Sequence, residues 1–282
     1  PEYKTTFFLC LKLQKFSFKV LLKNQFQLKL LHIFVKNQIL KKFHFLLIFF
    51  TVNLLISQNQ KKELFVKYTD KEITVDGILD ESDWLIATPT SNFYEAFPNH
   101  GEISPNQAII KVMNDDDFLY VGIKVMVKSK DLKSNNLRRD FQAQNSDNIT
   151  MIFDTFNDGN NAFVIGSNHL GIKRDMLLFN GGNGMRDWDM TWDTKWFSES
   201  KIYDDFYVTE WKIPLSAFKY REGETRWGVN SYMRNTQNNS WITWNLAPEN
   251  LLFFNLAFTG TMYFEKPLSK SKPEKSFIPY IK

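Results

Sequence analysis

The chain has 282 residues, of which 43% are hydrophobic and 16% aromatic, a composition that excludes an intrinsically disordered protein and is sufficient for a packed core. Its net charge of +4 at pH 7 is unevenly distributed. Residues 1–62 hold eleven lysines and one acid, whereas residues 63–282 hold 24 basic and 30 acidic side chains. The acidic balance of the larger part argues against a nucleic-acid partner, because binding to a phosphate backbone depends on clustered positive charge.

Residues 40–57 have the pattern of a secretory signal peptide. Two lysines precede an apolar run from Phe43 to Ile56, and Ser57 is a small residue at the expected cleavage site. The run is shorter than the roughly 20 apolar residues of a membrane-spanning helix, so we favour a cleaved signal peptide. A retained membrane anchor is the alternative. We therefore expect a signal-peptide helix, and export to the periplasm or outer membrane of a Gram-negative bacterium.

Residues 1–39 differ in composition from the rest of the chain. They are mostly Phe, Leu, Lys, Asn and Gln, they begin at Pro1, and the first methionine of the chain is Met113. We interpret them as a non-native extension, read through from upstream DNA, with translation starting near Leu40. The only cysteine, Cys10, lies in this extension, so the exported part would have no thiol.

From Leu64 onward, short runs of alternating apolar and polar residues are separated by clusters of Asn, Asp, Gly and Pro. In "FLYVGIKVMV" the alternation has the period of a strand, and Asn114 to Asp117 would form the turn of a hairpin. Similar runs are "NITMIFDT", "NAFVIGS", "KRDMLLF", "FYVTEWKIP", "RWGVNSYMRN", "SWITWNL" and "LAFTGTMYF". These runs predict an all-β fold, an antiparallel β-sandwich that is complete from Ile73 onward.

One or two short helices are expected within the sandwich. In "DESDWLIA", Asp80 is placed to cap the first turn and Trp84 to pack inward. In "PLSAFKY", Pro214 is suited to the first helical position.

Catalytic signatures are scarce. The chain has no GxSxG, HExxH, P-loop or CxxC motif, and we interpret His100 and His169 as loop residues. Four acids are the candidates for the carboxylate pair of a glycosidase, with turn capping as the alternative: Asp147, Asp154, Asp158 and Asp175. We expect no catalysis by this chain, and at most an association with glycoside hydrolases.

The aromatic residues are the strongest chemical signal. An indole has a large apolar face and one N–H donor, a combination that suits a sugar ring. In "RDWDMTWDTKW" three tryptophans lie four residues apart, a spacing compatible with a helix or a strand. Apolar neighbours predict that four tryptophans are core residues: Trp84, Trp192, Trp211 and Trp227. Polar neighbours predict that four others are partly open: Trp188, Trp196, Trp241 and Trp244.

Several stretches resemble, in order, the family 9 carbohydrate-binding modules: "ITVDGILDESDW", "KVMNDDDFLYVGIKV", "SDNITMIFDTFND", "NAFVIGSNHLGIKRD", "WDTKW", "VTEWKIPLSAFKY" and "RWGVNSYMRN". The resemblance covers about residues 64–264 and is closest to the module that opens the DUF5916 proteins of Bacteroidetes. It implies a DOMON-like β-sandwich at 58–268. It also implies that 269–282 are a linker and the beginning of an outer-membrane barrel region that this chain lacks.

Only some of the family's sugar-binding residues are found at the corresponding positions of this sequence. The family clamps its sugar between two tryptophans, and Gln144 stands at the first of these positions, while Phe253 or Phe254 could replace the second. A family Glu corresponds to Thr150 and a family Arg to Gly166, and an Asn is retained as Asn168. In the tryptophan-rich stretch, Trp192 is expected in the core and Trp188 at the open end of a strand. The candidate sugar-binding residues are therefore Gln144, Thr150, Asn168, Trp188, Trp241, Trp244, Phe253 and Phe254.

No cofactor is expected. Clustered carboxylates at Asp115–Asp117, and at Asp154 and Asp158, also suit Ca²⁺, but they lack the spacing of an EF-hand loop, so hairpin turns are the simpler interpretation. Related DOMON-like sandwiches hold haem through axial side chains, for which Met185 and His169 are the candidates.

Two hypotheses about function follow. The first is non-catalytic binding of an oligo- or polysaccharide by an exported module of a larger outer-membrane-associated protein, with a role in polysaccharide catabolism. The second is a structural or plug-like periplasmic domain without a sugar ligand, motivated by the loss of the clamping tryptophan at Gln144. Burial of all four of the aromatic residues Trp188, Trp241, Trp244 and Phe253 would favour the second.

Overall fold

The computed structural model describes residues 61–270. The expected extension at 1–39, the signal peptide at 40–57 and nearly all of the expected linker at 269–282 lie outside the described residues. The strands are β1 (Glu63–Tyr68), β2 (Tyr94–Phe97), β3 (Ala108–Asn114), β4 (Phe118–Met126), β5 (Asn148–Asp154), β6 (Ala162–Asn168), β7 (Lys173–Leu178), β8 (Trp188–Asp189), β9 (Phe197–Ile202), β10 (Phe206–Pro214), β11 (Arg226–Asn235), β12 (Ser240–Thr243) and β13 (Gly260–Phe264). The helix α1 spans Ser82–Ile86. Among these described residues, no helix has the length and apolar character needed to cross a membrane.

The strands form one continuous hydrogen-bonded sheet in the order β8-β7-β6-β5-β11-β13-β1-β3-β4-β10-β9, and β12 pairs with β11 and β2 beside this path. Most neighbours are antiparallel, as predicted. The strand β1 is the exception, because it pairs in parallel with both β13 and β3. Parallel neighbours need a long crossover, and the segment 69–107, which contains α1 and β2, supplies it between β1 and β3.

The two ends of this sheet fold over one another, which makes the sandwich. The indole Nε1 of Trp211 on β10 donates to the Ser167 hydroxyl on β6 at 2.9 Å, and the hydroxyls of Ser167 and Thr209 lie 2.9 Å apart. The strands β6 and β10 are far apart in the sheet order, so these bonds join its two inner faces. The β-sandwich prediction is confirmed.

The core takes alternate residues from the strands on both sides. In β4, the predicted inward face is confirmed by burial of Leu119, Val121, Ile123 and Val125 in the main cluster. Burial of each such side chain contributes roughly 1.5–3 kcal/mol.

The sequence analysis predicted a sandwich that is complete from Ile73 onward, and this prediction is wrong. The strand β1 lies between β13 and β3, and its alternating residues Leu64 and Val66 are buried in the core. The short pattern "ELFVKY" has only two buried positions, too few to distinguish a central strand from an edge.

The helix α1 begins one residue later than a cap at Asp80 requires. Glu81 holds the N-cap position without a capping bond from its side chain, so the expected cap was wrong. Trp84 packs inward as predicted, in a cluster with Ile73 and Tyr120. After Pro214, the last residue of β10, a single 3-10 turn follows at Leu215–Ala217.

The hairpin predicted at Asn114–Asp117 joins β3 and β4. One Asp115 carboxylate oxygen accepts the N–H groups of Asp117 at 2.8 Å and Phe118 at 2.6 Å. The other accepts the Tyr120 hydroxyl at 2.8 Å. The acid therefore closes the turn.

Candidate functional site

The faces of β11, β5, β6 and β7 that point away from the core bear side chains in register. Thr150 on β5 pairs with Tyr232 on β11 and with Gly166 on β6, and Gly166 pairs with Arg174 on β7. These four residues form a row across the strands, which we call the central row. The sequence analysis did not single out Tyr232 or Arg174, and it noted Gly166 only as the position where the family's Arg is missing.

The side chains of Arg174 and Tyr232 meet above the middle of the central row. Nη1 of Arg174 lies 3.5 Å from the Tyr232 hydroxyl, although two strands separate their backbones. A Cβ at Gly166 would lie 2.4 Å from Thr150 Oγ1, so the Thr150 side chain fills the space that a side chain at Gly166 would need. A guanidinium group therefore lies near Gly166, the position that corresponds to an arginine in the family that the sequence resembles.

Beside the central row lies a second row, Arg234, Asn148 and Asn168. The predicted contact Asn168 is buried, its amide nitrogen donates to Ser134 Oγ at 3.1 Å, and its carbonyl oxygen accepts the N–H of Ile172 at 3.0 Å. Its amide thus anchors the turn between β6 and β7. Thr150 is also buried and donates to Asn148 Oδ1 at 3.2 Å.

Five aromatic residues from separate parts of the chain gather on the same outer face, and we call them the aromatic cluster: Trp188, Tyr232, Trp241, Phe253 and Phe254. Trp241 and Phe253 are stacked, with ring centroids 5.0 Å apart, and Tyr232 meets Phe253 edge-on at 5.1 Å. Trp188 meets Phe254 edge-on at 4.5 Å. Phe254 is buried, whereas Trp188, Trp241 and Phe253 remain half-buried.

The loop that presents the phenylalanines is anchored by amide side chains. Asn230 donates to the carbonyls of Asn245 at 3.2 Å and Phe253 at 3.4 Å, and Asn255 donates to Asn183 Oδ1 at 2.9 Å. These bonds fix both ends of the loop against β11 and the segment before β8, so the aromatic cluster is preorganised.

Gln144 and Trp241, two predicted site residues, lie close together through Arg234. Gln144 is exposed, and its backbone carbonyl accepts from Nε of Arg234 at 3.2 Å. The guanidinium of Arg234 lies 5.2 Å from the centre of the Trp241 ring. Burial lowers the pKa of Arg234, while the nearby carboxylate of Asp147 opposes this shift.

The predictions for three other tryptophans need correction. Trp244 is only 1% exposed, and its indole donates to the Ser91 carbonyl at 3.1 Å. Trp196 is also 1% exposed and packs edge-on against Trp211. Trp192, expected in the core, packs against the main core cluster but is only half-buried. Polar sequence neighbours misled the predictions for Trp196 and Trp244, because adjacent residues of an extended chain point to opposite sides.

The carboxylates considered for catalysis are occupied by turns and loops. Asp147 accepts from the backbone of Lys133 at 2.6 Å and Thr236 at 2.9 Å. Asp154 accepts the N–H of Gly159 at 2.7 Å and, more weakly, that of Asp158 at 3.3 Å. Asp175 is paired with Arg139 at 2.6 Å and with the N–H of Thr194 at 2.7 Å. Their bonds match the turn-capping alternative.

The haem and metal candidates lie in unrelated surroundings. The ring of His169 is buried beside Tyr207, and burial lowers its pKa. Met185 is 71% exposed. Within 61–270, no three His, Cys, Asp or Glu side chains are grouped so that they could hold a metal ion.

No protein-family model matches the sequence, and no curated protein matches it. Solved structures do. A family 9 carbohydrate-binding module from Caldicellulosiruptor kristjanssonii, in complex with cellotriose, matches with a TM-score of 0.52 and 18% identity, over 78% of this chain and 100% of that chain. A proposed carbohydrate-binding protein from Bacteroides uniformis matches with a TM-score of 0.56 and 14% identity, over 73% of this chain and 100% of that chain. The chain therefore has the fold of the family 9 carbohydrate-binding modules.

Proposed function

We propose that this protein is a non-catalytic carbohydrate-binding module whose aromatic cluster binds the sugar rings of an oligo- or polysaccharide. The observation that supports this most directly is the half-exposed, stacked pair of Trp241 and Phe253 beside the central row. Large, partly exposed aromatic side chains are a usual means of binding the apolar face of a sugar.

Polar groups around the cluster would supply hydrogen bonds to sugar hydroxyls. Gln144 is exposed beside Arg234, and the Tyr232 hydroxyl faces Arg174 at the centre of the site. The combination of flat apolar surfaces with a few fixed donors and acceptors is that of a binding site, and the carboxylates that a glycosidase would need are engaged elsewhere.

Calorimetric titration tests the proposal. Since a module of the same fold binds cellotriose, cellotriose is the first probe, followed by a panel of other oligosaccharides. We expect binding that is lost in Trp241→Ala and in Phe253→Ala. Phe197→Ala is the matched control, because Phe197 is an exposed aromatic residue on β9 at the other end of the sheet. Absence of binding to every oligosaccharide at millimolar concentration would refute the proposal.

The alternative, a structural or plug-like domain without a sugar ligand, has one observation in its favour. Gln144, at the position of the family's clamping tryptophan, is exposed and donates only a long bond of 3.4 Å to Gln142. This alternative required that four aromatic residues all be buried. Trp244 is buried, but Trp188, Trp241 and Phe253 are not. The half-exposed cluster favours sugar binding.

We also propose that the module is exported and belongs to a larger outer-membrane-associated protein of the DUF5916 kind in Bacteroidetes, acting in polysaccharide catabolism. The motivating observations are the signal-like residues 40–57 and the ordered motifs that they precede. N-terminal sequencing of the protein recovered from a Gram-negative host tests the export. A new terminus near Ser57 in the periplasmic fraction is expected, and an uncleaved cytoplasmic product would contradict it.

A further inference from the structure

Arg174 is a buried cation without an anion. Its side chain is only 7% exposed, and its Nε has no hydrogen-bond partner among the described residues. One terminal nitrogen has a long contact of 3.5 Å to the hydroxyl of Tyr232, and the other lies 3.5 Å from the sulfur of Met176, a weak acceptor. The guanidinium carbon lies 5.8 Å from the centre of the buried Phe141 ring. A buried guanidinium normally has a carboxylate and short hydrogen bonds, since desolvation of its charge is costly.

A second guanidinium on the same face also lacks an acidic partner. Arg234 donates to three neutral acceptors, the carbonyls of Gln144 and Ser240 and the side-chain oxygen of Asn239. The nearby Asp147 is committed to the backbone of Lys133 and to Thr236. In the described range, neither Arg174 nor Arg234 forms an ion pair.

The two cations are joined by the aromatic cluster. Arg234 lies over Trp241, the rings of Trp241 and Tyr232 are 6.0 Å apart, and the Tyr232 hydroxyl reaches Arg174. The central row and the row of Arg234 contain no acid: their members are Tyr232, Thr150, Gly166, Arg174, Arg234, Asn148 and Asn168. These two rows thus carry two positive charges and no negative one, in a module whose residues 63–282 are acidic overall.

We propose that this face selects acidic sugars, which carry a carboxylate or a sulfate ester, and that Arg174 binds the anionic group. This inference rests on the proposed sugar-binding function and names its ligand class. A carboxylate or sulfate oxygen would accept from the terminal nitrogens of Arg174, whose present partners are a distant hydroxyl and a sulfur, and the planar guanidinium can bind such an anion through two bonds. The sugar ring would lie against Trp241 and Phe253.

Titration calorimetry on the full chain tests the selection with matched pairs of probes. Sodium galacturonate and glucuronate are compared with galactose and glucose, and glucose 6-sulfate distinguishes a sulfate from a carboxylate. We expect the acidic member of at least one pair to bind about tenfold more tightly than its neutral parent, the effect of one charge-assisted hydrogen bond. The preference should decrease as sodium chloride is added.

Variants assign the preference to Arg174. In Arg174→Gln the acidic and neutral probes should bind equally, and Arg174→Lys, which keeps the charge but loses the planar fork, should retain part of the preference. The control is Arg226→Gln, which removes an exposed arginine at the far end of β11 and should leave the preference intact. A folded Arg174→Gln that keeps the full preference would overturn the assignment.

The remaining outcomes separate the two proposals. Neutral sugars that bind as tightly as every acidic one would overturn the acidic selection and leave sugar binding in place. Sodium acetate or sulfate that binds as tightly as the acidic sugars would also overturn it, because the sugar ring would contribute nothing. No binding by any sugar, neutral or acidic, would refute both proposals.

Discussion

Trp84 of α1 donates its indole N–H to the buried carboxyl of Glu210 on β10 at 3.2 Å. The same carboxyl accepts the backbone N–H groups of Asp76 at 3.1 Å and Gly77 at 3.2 Å. One side chain on the outer face of β10 thus holds the segment between β1 and α1 against the sheet.

Glu210 should make the stability of the fold depend on pH. Burial raises the pKa of Glu210 to about 7 from an ordinary value of 4.5, although the hydrogen bonds from its three N–H donors act to lower it. The folded protein then keeps a proton that the unfolded chain releases, so the stabilisation is complete below pH 4.5 and is lost as the pH rises to about 7. The contribution is on the order of 3 kcal/mol.

Thermal melts of the protein and of Glu210→Gln, recorded at several pH values, measure this effect. The melting temperature of the protein should fall relative to the variant between pH 5 and pH 8, because the variant cannot titrate at this position. A difference that stays constant over the whole range would show that Glu210 has the same pKa in both states.

Replacement of Arg174 by methionine should stabilise the ligand-free protein. Methionine fills a similar volume and removes a buried charge that has no counter-ion, so we expect a gain of about 1 kcal/mol or more in the free energy of unfolding. Urea denaturation of this variant beside Arg226→Met, whose arginine is exposed, provides the measurement. A loss of stability confined to Arg174→Met would mean that its long contacts are stronger than their distances indicate.

Gly166 should tolerate no side chain. An added Cβ would lie 2.4 Å from Thr150 Oγ1 and 2.8 Å from the carbonyl of Ile149, so Gly166→Ala should cost about 1–3 kcal/mol through overpacking. Removal of the hydroxyl in Thr150→Ala should restore part of that loss. The matched control is Gly184→Ala, where the nearest atom would lie at an ordinary 3.5 Å. Equal effects of the two alanine substitutions on urea denaturation would contradict the prediction.

Asp115 should stabilise the β3–β4 hairpin through hydrogen bonds and not through a metal ion. Its carboxylate accepts from Asp117, Phe118 and Tyr120, so Asp115→Ala should cost about 1–3 kcal/mol. Asp116, whose carboxylate accepts only a longer bond of 3.2 Å from the Tyr68 hydroxyl, is the matched control. Melts with and without millimolar calcium complete the test, and a rise in melting temperature that requires Asp115 would establish a calcium site instead.

Deletion of residues 1–57 should leave the melting temperature unchanged and improve solubility. A signal peptide serves only the export machinery, and β1 does not begin until Glu63. Deletion of residues 1–68, in contrast, should prevent folding, because it removes the strand between β13 and β3 and its buried residues Leu64 and Val66. A drop of several degrees in the shorter deletion would show that 1–57 pack into the fold, and the signal-peptide hypothesis would have to be abandoned.

Local patterns were sufficient for much of the fold. The alternation in β4, the acidic turn before it and the inward position of Trp84 follow from properties of neighbouring residues, such as the two-residue period of a strand and the turn preference of Asp. The ordered motifs also identified the type of sandwich, because their order along the chain reflects the order of its strands.

Tertiary structure alone decided which residues meet on the outer face. Arg174 and Tyr232 lie far apart in sequence, and their contact depends on a shared register through two intervening strands and on small residues between them. The parallel pairing of β1 and the burial of Trp244 likewise depend on partners that bind from distant segments. A strand pattern determines which side chains share a face of one strand, but neighbouring strands set their environment, since strand pairing is a long-range interaction.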